Sequence, residues 1–235
     1  MKRSIIFLLT ALVAAQSCSF IRINVPNFDF ISSQNGEVLE ASTSFKNVSI
    51  DLEEFTAIDQ RSHFDMEYIP SEGRTGITIN APENYIDYIE YKVVDGTLIV
   101  SVKDEVTLEG EKVSLRTYSS ALERVEIKGP SDFLCSNLKA GNFKLNLLGA
   151  GDVILEELVA DDVEVNVMGV GDVYLDGLEC KNLNANVNGV GDINISGKAD
   201  YADLSIHGVG DINAKDLEAG ELKTKVKGAG DIKRK

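Results

Sequence analysis

The second half of the chain alternates apolar and polar residues with period two, and the alternation returns at a fixed interval. The runs "FKLNL" (143–147), "VEVNV" (163–167), "LNANV" (183–187) and "LKTKV" (222–226) hold the same place in successive segments of about 20 residues. Period two sends neighbouring side chains to opposite faces of a strand, so these runs predict half-buried β-strands and not helices. Other apolar positions fall into columns on the same repeat. Phe133, Val153, Val173, Ile193, Ile212 and Ile232 form one, and Cys135, Leu155, Leu175, Ile195 and Ala214 a second. Leu138, Leu158, Leu178 and Leu217 form a third, which Lys198 breaks, and Ala140, Ala160, Cys180 and Ala219 a fourth.

The segments are punctuated by Gly-x-Gly-Asp followed by a β-branched residue. The first glycines, Gly149, Gly169, Gly189, Gly208 and Gly228, are spaced 20, 20, 19 and 20. One step earlier lies Gly129-Pro130-Ser131-Asp132, which keeps the first glycine and the aspartate but has serine in the third place. A period near twenty is the mark of a solenoid. Each turn is too short for a crossover helix, which alone takes at least about ten residues. Parallel strands stack about 4.8 Å apart, so six turns would span roughly 25–30 Å. The fold class is therefore all-β, a parallel β-helix or closely related solenoid of about 20 residues per turn over residues 129–235.

Four kinds of chemistry could repeat this corner, formed by Gly149, Gly151, Asp152; Gly169, Gly171, Asp172; Gly189, Gly191, Asp192; Gly208, Gly210, Asp211; and Gly228, Gly230, Asp231. A phosphate loop needs a helix after the glycines, and here strands follow. A column of aspartates could bind calcium, which takes about six to eight oxygens, although calcium-binding β-rolls use a shorter, glycine-richer repeat of about nine residues. A catalytic acid site needs one asymmetric centre, which identical repetition builds poorly. Turn chemistry needs one such corner on every turn: glycine gives conformational freedom and close packing, and aspartate hydrogen-bonds nearby backbone N–H groups. The structural turn is the leading expectation, with calcium as its alternative and no metal or cofactor otherwise called for.

Residues 1–17 read as a signal peptide, with a basic "MKR" start and an apolar run too short to span a bilayer. Cleavage after Ala15 suits ordinary signal peptidase, while Ala15-Gln16-Ser17 before Cys18 resembles a lipobox with Cys18 lipidated. Residues 18–48 are expected to form a linker or strand, and 49–128 an N-terminal β part that caps the coil. Within it, "EYKVVDGTLIVSVKD" (90–104) predicts a hairpin about Asp95-Gly96, and Pro82 opens a short helical turn. Tyr85, Tyr88, Tyr91 and Arg116 are candidates for a ligand surface or for packing of the cap. His63 and His207 stand alone and carry no assigned chemistry. Cys135 and Cys180 fall in different inward columns two turns apart, beyond disulfide reach. Asn146, Asn166 and Asn186 form an outward column expected to hydrogen-bond along the stack.

The formal net charge is −15, with no clustered basic patch except "KRK" at 233–235, which argues against a nucleic-acid partner. The incomplete last turn offers an open end for association with another chain.

The string "GITINAPENYIDYIEYKVVDGTLIVSVKD", then "LERVEIKG", then the returning "GxGD[IV]" closely resembles the autotransporter-adhesin head (GIN) domain family over roughly residues 50–232. The resemblance implies a right-handed β-helix-like solenoid in an exported protein of a Gram-negative bacterium, and it supplies no catalytic residues. The loss of the second glycine at Ser131 departs from the pattern. The expected function is a non-enzymatic cell-envelope protein in the periplasm or outer membrane, as a lipid-anchored adhesin-like binding or scaffold module for an unknown glycan or protein. The alternatives are a glycan-binding or carbohydrate-active β-helix, or calcium-dependent adhesion through the aspartate column.

Overall fold

The region before the repeat, which has no internal period, builds both the first turns of the coil and the cap over its end. The structure is a computed structural model that describes residues 37–108 and 113–235; the signal-peptide and Cys18 expectations lie outside the described residues. The strands of this region are β1 (Glu37–Leu39), β2 (Phe45–Asp51), β3 (Ala57–Gln60), β4 (Asp65–Pro70), β5 (Gly76–Pro82), β6 (Ile89–Val94), β7 (Thr97–Val102), β8 (Val106–Leu108) and β9 (Ser114–Ser119). A 3-10 helix, Glu83–Tyr88, follows β5 with Pro82 at its N-cap. Strands β6 and β7 form the antiparallel hairpin about Asp95 and Gly96, whose φ values of 48° and 69° are those of a hairpin turn matched to strand twist.

The repeat supplies β10 (Arg124–Ile127), β11 (Phe133–Cys135), β12 (Leu138–Lys139), β13 (Asn142–Leu147), β14 (Val153–Leu155), β15 (Leu158–Val167), β16 (Val173–Val187), β17 (Ile193–Ile206), β18 (Ile212–Val226) and β19 (Ile232–Arg234). All pair in parallel, each residue with its counterpart one turn on. Leu145 lies beside Val165, Val165 beside Ala185, Ala185 beside Leu204, and Leu204 beside Thr224. The predicted columns are the interior of the coil: Phe133, Val153, Val173, Ile193 and Ile212 are all buried, as are Cys135, Leu155, Leu175, Ile195 and Ala214. Each large side chain so removed from water contributes on the order of 1.5–3 kcal/mol before ordering costs.

One residue moves from its expected place. The leucine column is continued on the short turn by Gly197, not Lys198: Gly197 pairs with Leu178 on one side and Leu217 on the other. Lys198 sits instead beside Glu179 and Glu218, exposed, with its ammonium 4.0 Å from the Glu218 carboxylate. The missing residue of that turn is absorbed by irregular pairing between Leu175 and Leu178, so the charge faces water.

The first turns stack out of chain order. Strand β3 pairs in parallel with β10 on one side and β7 on the other, and β4 pairs with β11 and β9. The turn made of β3 and β4 is therefore sandwiched between a later segment and the first repeat. Beyond β7 and β9 the pairing turns antiparallel, β6 on β7, β5 on β9 and β2 on β5. The coil thus ends in a short antiparallel layer, which covers the edge that further turns would extend. At the other end Leu222 is half-buried and Val226 is 46% exposed, so the interior column opens there to solvent.

Candidate functional site

The Gly-Asp corner is the most repeated feature of the coil, and its geometry explains both glycines. A Cβ on Gly169 would lie 1.9 Å from the Gly149 carbonyl oxygen, because the turns touch backbone to backbone there. Gly171 has φ +143°, and its Cβ would meet the Gly151 oxygen at 1.9 Å. The middle residues, Pro130, Ala150, Val170, Val190, Val209 and Ala229, bridge in parallel one to the next. Val170, Val190 and Val209 are 57%, 50% and 53% exposed, an apolar ridge beside the aspartates.

Each aspartate accepts a hydrogen bond from the backbone N–H of the aspartate one turn on. Asp152 donates to Asp132 Oδ1 at 2.7 Å, Asp172 to Asp152 at 2.9 Å and Asp192 to Asp172 at 2.8 Å. Asp211 donates to Asp192 at 2.6 Å and Asp231 to Asp211 at 2.8 Å. The column begins one turn earlier than the glycines show: Asp132 N–H donates to Asp65 Oδ1 at 3.0 Å. Asp65 escapes sequence reading because its turn reads Ser62-His63-Phe64-Asp65, with no glycine to align. At the far end the Lys233 ammonium lies 2.6 Å from Asp211 Oδ2, and this hydrogen bond, with the Asp231 N–H, draws the Asp211 carboxyl below its ordinary value. Among the described residues no group of three or more His, Cys, Asp or Glu is placed to hold a metal ion.

A second ladder runs along the outward asparagines. Asn166 Nδ2 donates to Asn146 Oδ1 at 3.0 Å and Asn186 Nδ2 to Asn166 Oδ1 at 3.1 Å, and Ser205 Oγ closes the row on Asn186. A third joins Asn182 Nδ2 to Asp162 Oδ1 at 2.7 Å. This third row lines a groove of about 600 Å³ with Phe143 and Tyr201.

The aromatic candidates do not converge. Tyr85 is buried, and its hydroxyl donates to the Leu39 carbonyl at 2.7 Å, so it packs the cap and cannot face a ligand. Tyr91 is half-buried in a separate groove with Ile50, Ile86 and Ile99. Arg116 lies on β9 and pairs across to Glu67 of β4 at 2.7 Å. Cys135 and Cys180 are both buried and unbridged. Burial pushes the Cys135 thiol up to about 12 and that of Cys180 up to about 11.

His63, set aside in the sequence, borders a cavity of about 270 Å³ at the start of the aspartate column, with Phe64, Asp65, Pro130, Ser131 and Asp132. The family described as "Putative auto-transporter adhesin, head GIN domain" matches residues 54–178 and 156–234. The chain belongs to this family.

Solved structures share the head GIN architecture. A putative adhesin from Bacteroides fragilis is 25% identical, with a TM-score of 0.73 over 84% of this chain and 100% of that one. A putative lipid binding protein from Parabacteroides distasonis is 18% identical, with a TM-score of 0.71 over 85% of this chain and 100% of that one. A putative adhesin from Parabacteroides merdae is 21% identical, with a TM-score of 0.57 over the same shares, 85% and 100%. The two Parabacteroides likenesses show the fold alone. Comparison with the curated proteins finds no match. Among the described residues no helix is long and apolar enough to cross a membrane.

Proposed function

We propose that this head GIN chain is a non-enzymatic, exported cell-envelope protein, an adhesin-like module that presents a stiff β-solenoid surface to a glycan or protein. Its repeated Gly-Asp corner serves as the internal fastening of the coil. The observation that carries this reading is the ladder from Asp65 to Asp231, in which one carboxylate oxygen per turn is already occupied by the N–H of the next turn. A carboxylate that accepts a backbone N–H is fixed in place by a charge-assisted bond. The grooves between corners, where side chains differ from turn to turn, are left for recognition. Family membership supports the adhesin-like role, and the apolar N-terminal run before Cys18 supports export with a lipid anchor in the periplasm or outer membrane.

Thermal unfolding of the purified chain in calcium, in chelator and with a panel of envelope and host glycans tests the proposal. A ligand bound only by the folded state raises the midpoint. A rise with a glycan and none with calcium is expected. A calcium-specific rise of several degrees would make the aspartate column a metal site and displace the fastening role.

A further inference from the structure

The corner that fastens the coil also carries apolar side chains that the coil's own packing does not require. The period-two alternation continues around each corner: Val167 and Val173 are buried, while Met168, Val170 and Asp172 between them face outward. Met168 is 42% exposed, and with the ridge valines Val170, Val190 and Val209 it makes a contiguous exposed apolar group. The parallel bridges from Pro130 to Ala229 keep the ridge in register. Five steps of about 4.8 Å make it about 24 Å long. The same corner carries alanine at 150 and 229, so its turn geometry does not demand valine. Exposed apolar side chains scattered singly need no explanation, but a contiguous row rimmed by polar residues marks a contact surface.

The two columns beside the ridge differ, and the difference limits what can lie on it. On one side stand the ladder aspartates, from Asp132 to Asp231. On the other stand Lys128, Leu148, Met168, Asn188, His207 and Lys227, with no acid among them. Two copies of this face can meet ridge to ridge about a two-fold axis in two ways. An axis across the coil sets aspartates against aspartates, and like charges so placed repel. An axis along the coil sets each aspartate column over the mixed column of the other copy. Asp231 then lies opposite Lys227, and Asp211 opposite His207, while valine meets valine along the ridge. Lys128 is already held by Asp59 and Glu126, so the new attraction falls at Lys227 and His207. The face is therefore complementary to itself in charge, but only with the two coils parallel.

We propose that this ridge pairs two copies of the chain side by side, with their coils parallel and a two-fold axis along them. Such a contact is isologous, each residue meeting its counterpart. Val190 sits against Val190 of the other copy, and Val170 and Val209 repeat the contact one turn to either side. Outward positions two residues apart lie about 7 Å from each other, so three columns cover only roughly 300 Å² per copy. A standard interface takes about 800 Å² per partner, so the pair is weak in solution. Holding two chains at one surface raises its occupancy by effective concentration, and a parallel pair keeps both antiparallel caps at the same end. The inference goes beyond the binding-module reading and does not depend on which ligand that module takes.

Sedimentation equilibrium of the purified full chain, up to about 1 mM to reach weak association, tests the pairing. The parent is expected to form a reversible dimer. Val190→Glu should stay monomeric with an unchanged melting midpoint, whereas Val94→Glu, at an exposed valine of the β6–β7 hairpin, should dimerise as the parent does. If Val190→Glu lowers the midpoint, Val190→Thr keeps the β-branched shape and should still weaken the dimer at least tenfold. Disulfide trapping reads the orientation, since Cys135 and Cys180 are buried. In a parallel pair Val170→Cys chains join one another, and so do Val209→Cys chains. The two positions lie two turns apart, about 10 Å, so no mixed dimer forms. The proposal is overturned if the parent is monomeric up to about 1 mM, if the Val190 variants associate as the parent does, or if trapping joins the 170 and 209 variants to each other instead of like to like.

Discussion

Asp65 Oδ1 accepts the backbone N–H of Asp132 at 3.0 Å, across 67 residues of chain. The same bond joins Asp152 to Asp172 and each pair below. A residue from the irregular first half thereby becomes the first step of the regular column.

Removing a step should loosen the stack locally. Asp172→Ala is expected to destabilise by roughly 1 kcal/mol, since a charge-assisted bond at a partly exposed site is lost. Asp65→Ala should cost about the same, and Asn at either position less, because its side-chain oxygen can still accept the N–H. Asp87→Ala, at an exposed position of the cap helix, should stay within about 0.5 kcal/mol. Urea unfolding measures all of these, and a neutral Asp65→Ala would remove that residue from the ladder.

The corner glycines should tolerate nothing larger. At Gly171 a Cβ meets the Gly151 oxygen at 1.9 Å and φ is +143°. Gly171→Ala is therefore expected to lower stability by about 3 kcal/mol or more, or to prevent folding. At Gly141 nothing lies within 4 Å of an added Cβ, and Gly141→Ala should change the melting midpoint little.

Acid should weaken the start of the coil through Asp59. Burial alone would raise its pKa, but hydrogen bonds from Arg61 at 2.6 Å and Lys128 at 2.9 Å outweigh burial and lower it from 3.8. A carboxylate with a lowered folded-state pKa stabilises above its unfolded value, and that stability is lost as pH falls through the folded value. The loss therefore lies below about pH 4. Asp59→Asn should flatten this part of the stability profile in a pH series of unfolding curves, and an unchanged profile would exclude Asp59 as its source.

The two interior thiols should be inert in the folded protein. With Cys135 pushed up to about 12 and Cys180 to about 11, almost no thiolate forms near neutrality. Iodoacetamide at pH 8 is expected to leave both unmodified until denaturant is added, as peptide mapping would show. Rapid native labelling of Cys180 would mean that the stack opens at this column, where Cys180 lies between Ala160 and Ala199 of the neighbouring turns.

By itself the sequence determined the coil, its period and its inward columns. The reason is local: parallel turns in register place identical positions in identical surroundings, so Val153, Val173 and Ile193 each carry the same instruction, and Cys135 and Cys180 can be placed by column alone. The Asp95-Gly96 hairpin was legible for a similar reason, since both residues need positive φ. Only the tertiary structure decided what depends on pairing without repetition. Nothing in the order of residues says that β3 and β4 lie between β7 and β9 on one side and β10 and β11 on the other. That stacking makes Asp65 a ladder member and brings His63 and Ser131 to one cavity. On the short turn, Gly197 and not Lys198 takes the leucine position, because a buried ammonium costs more than a locally irregular pairing.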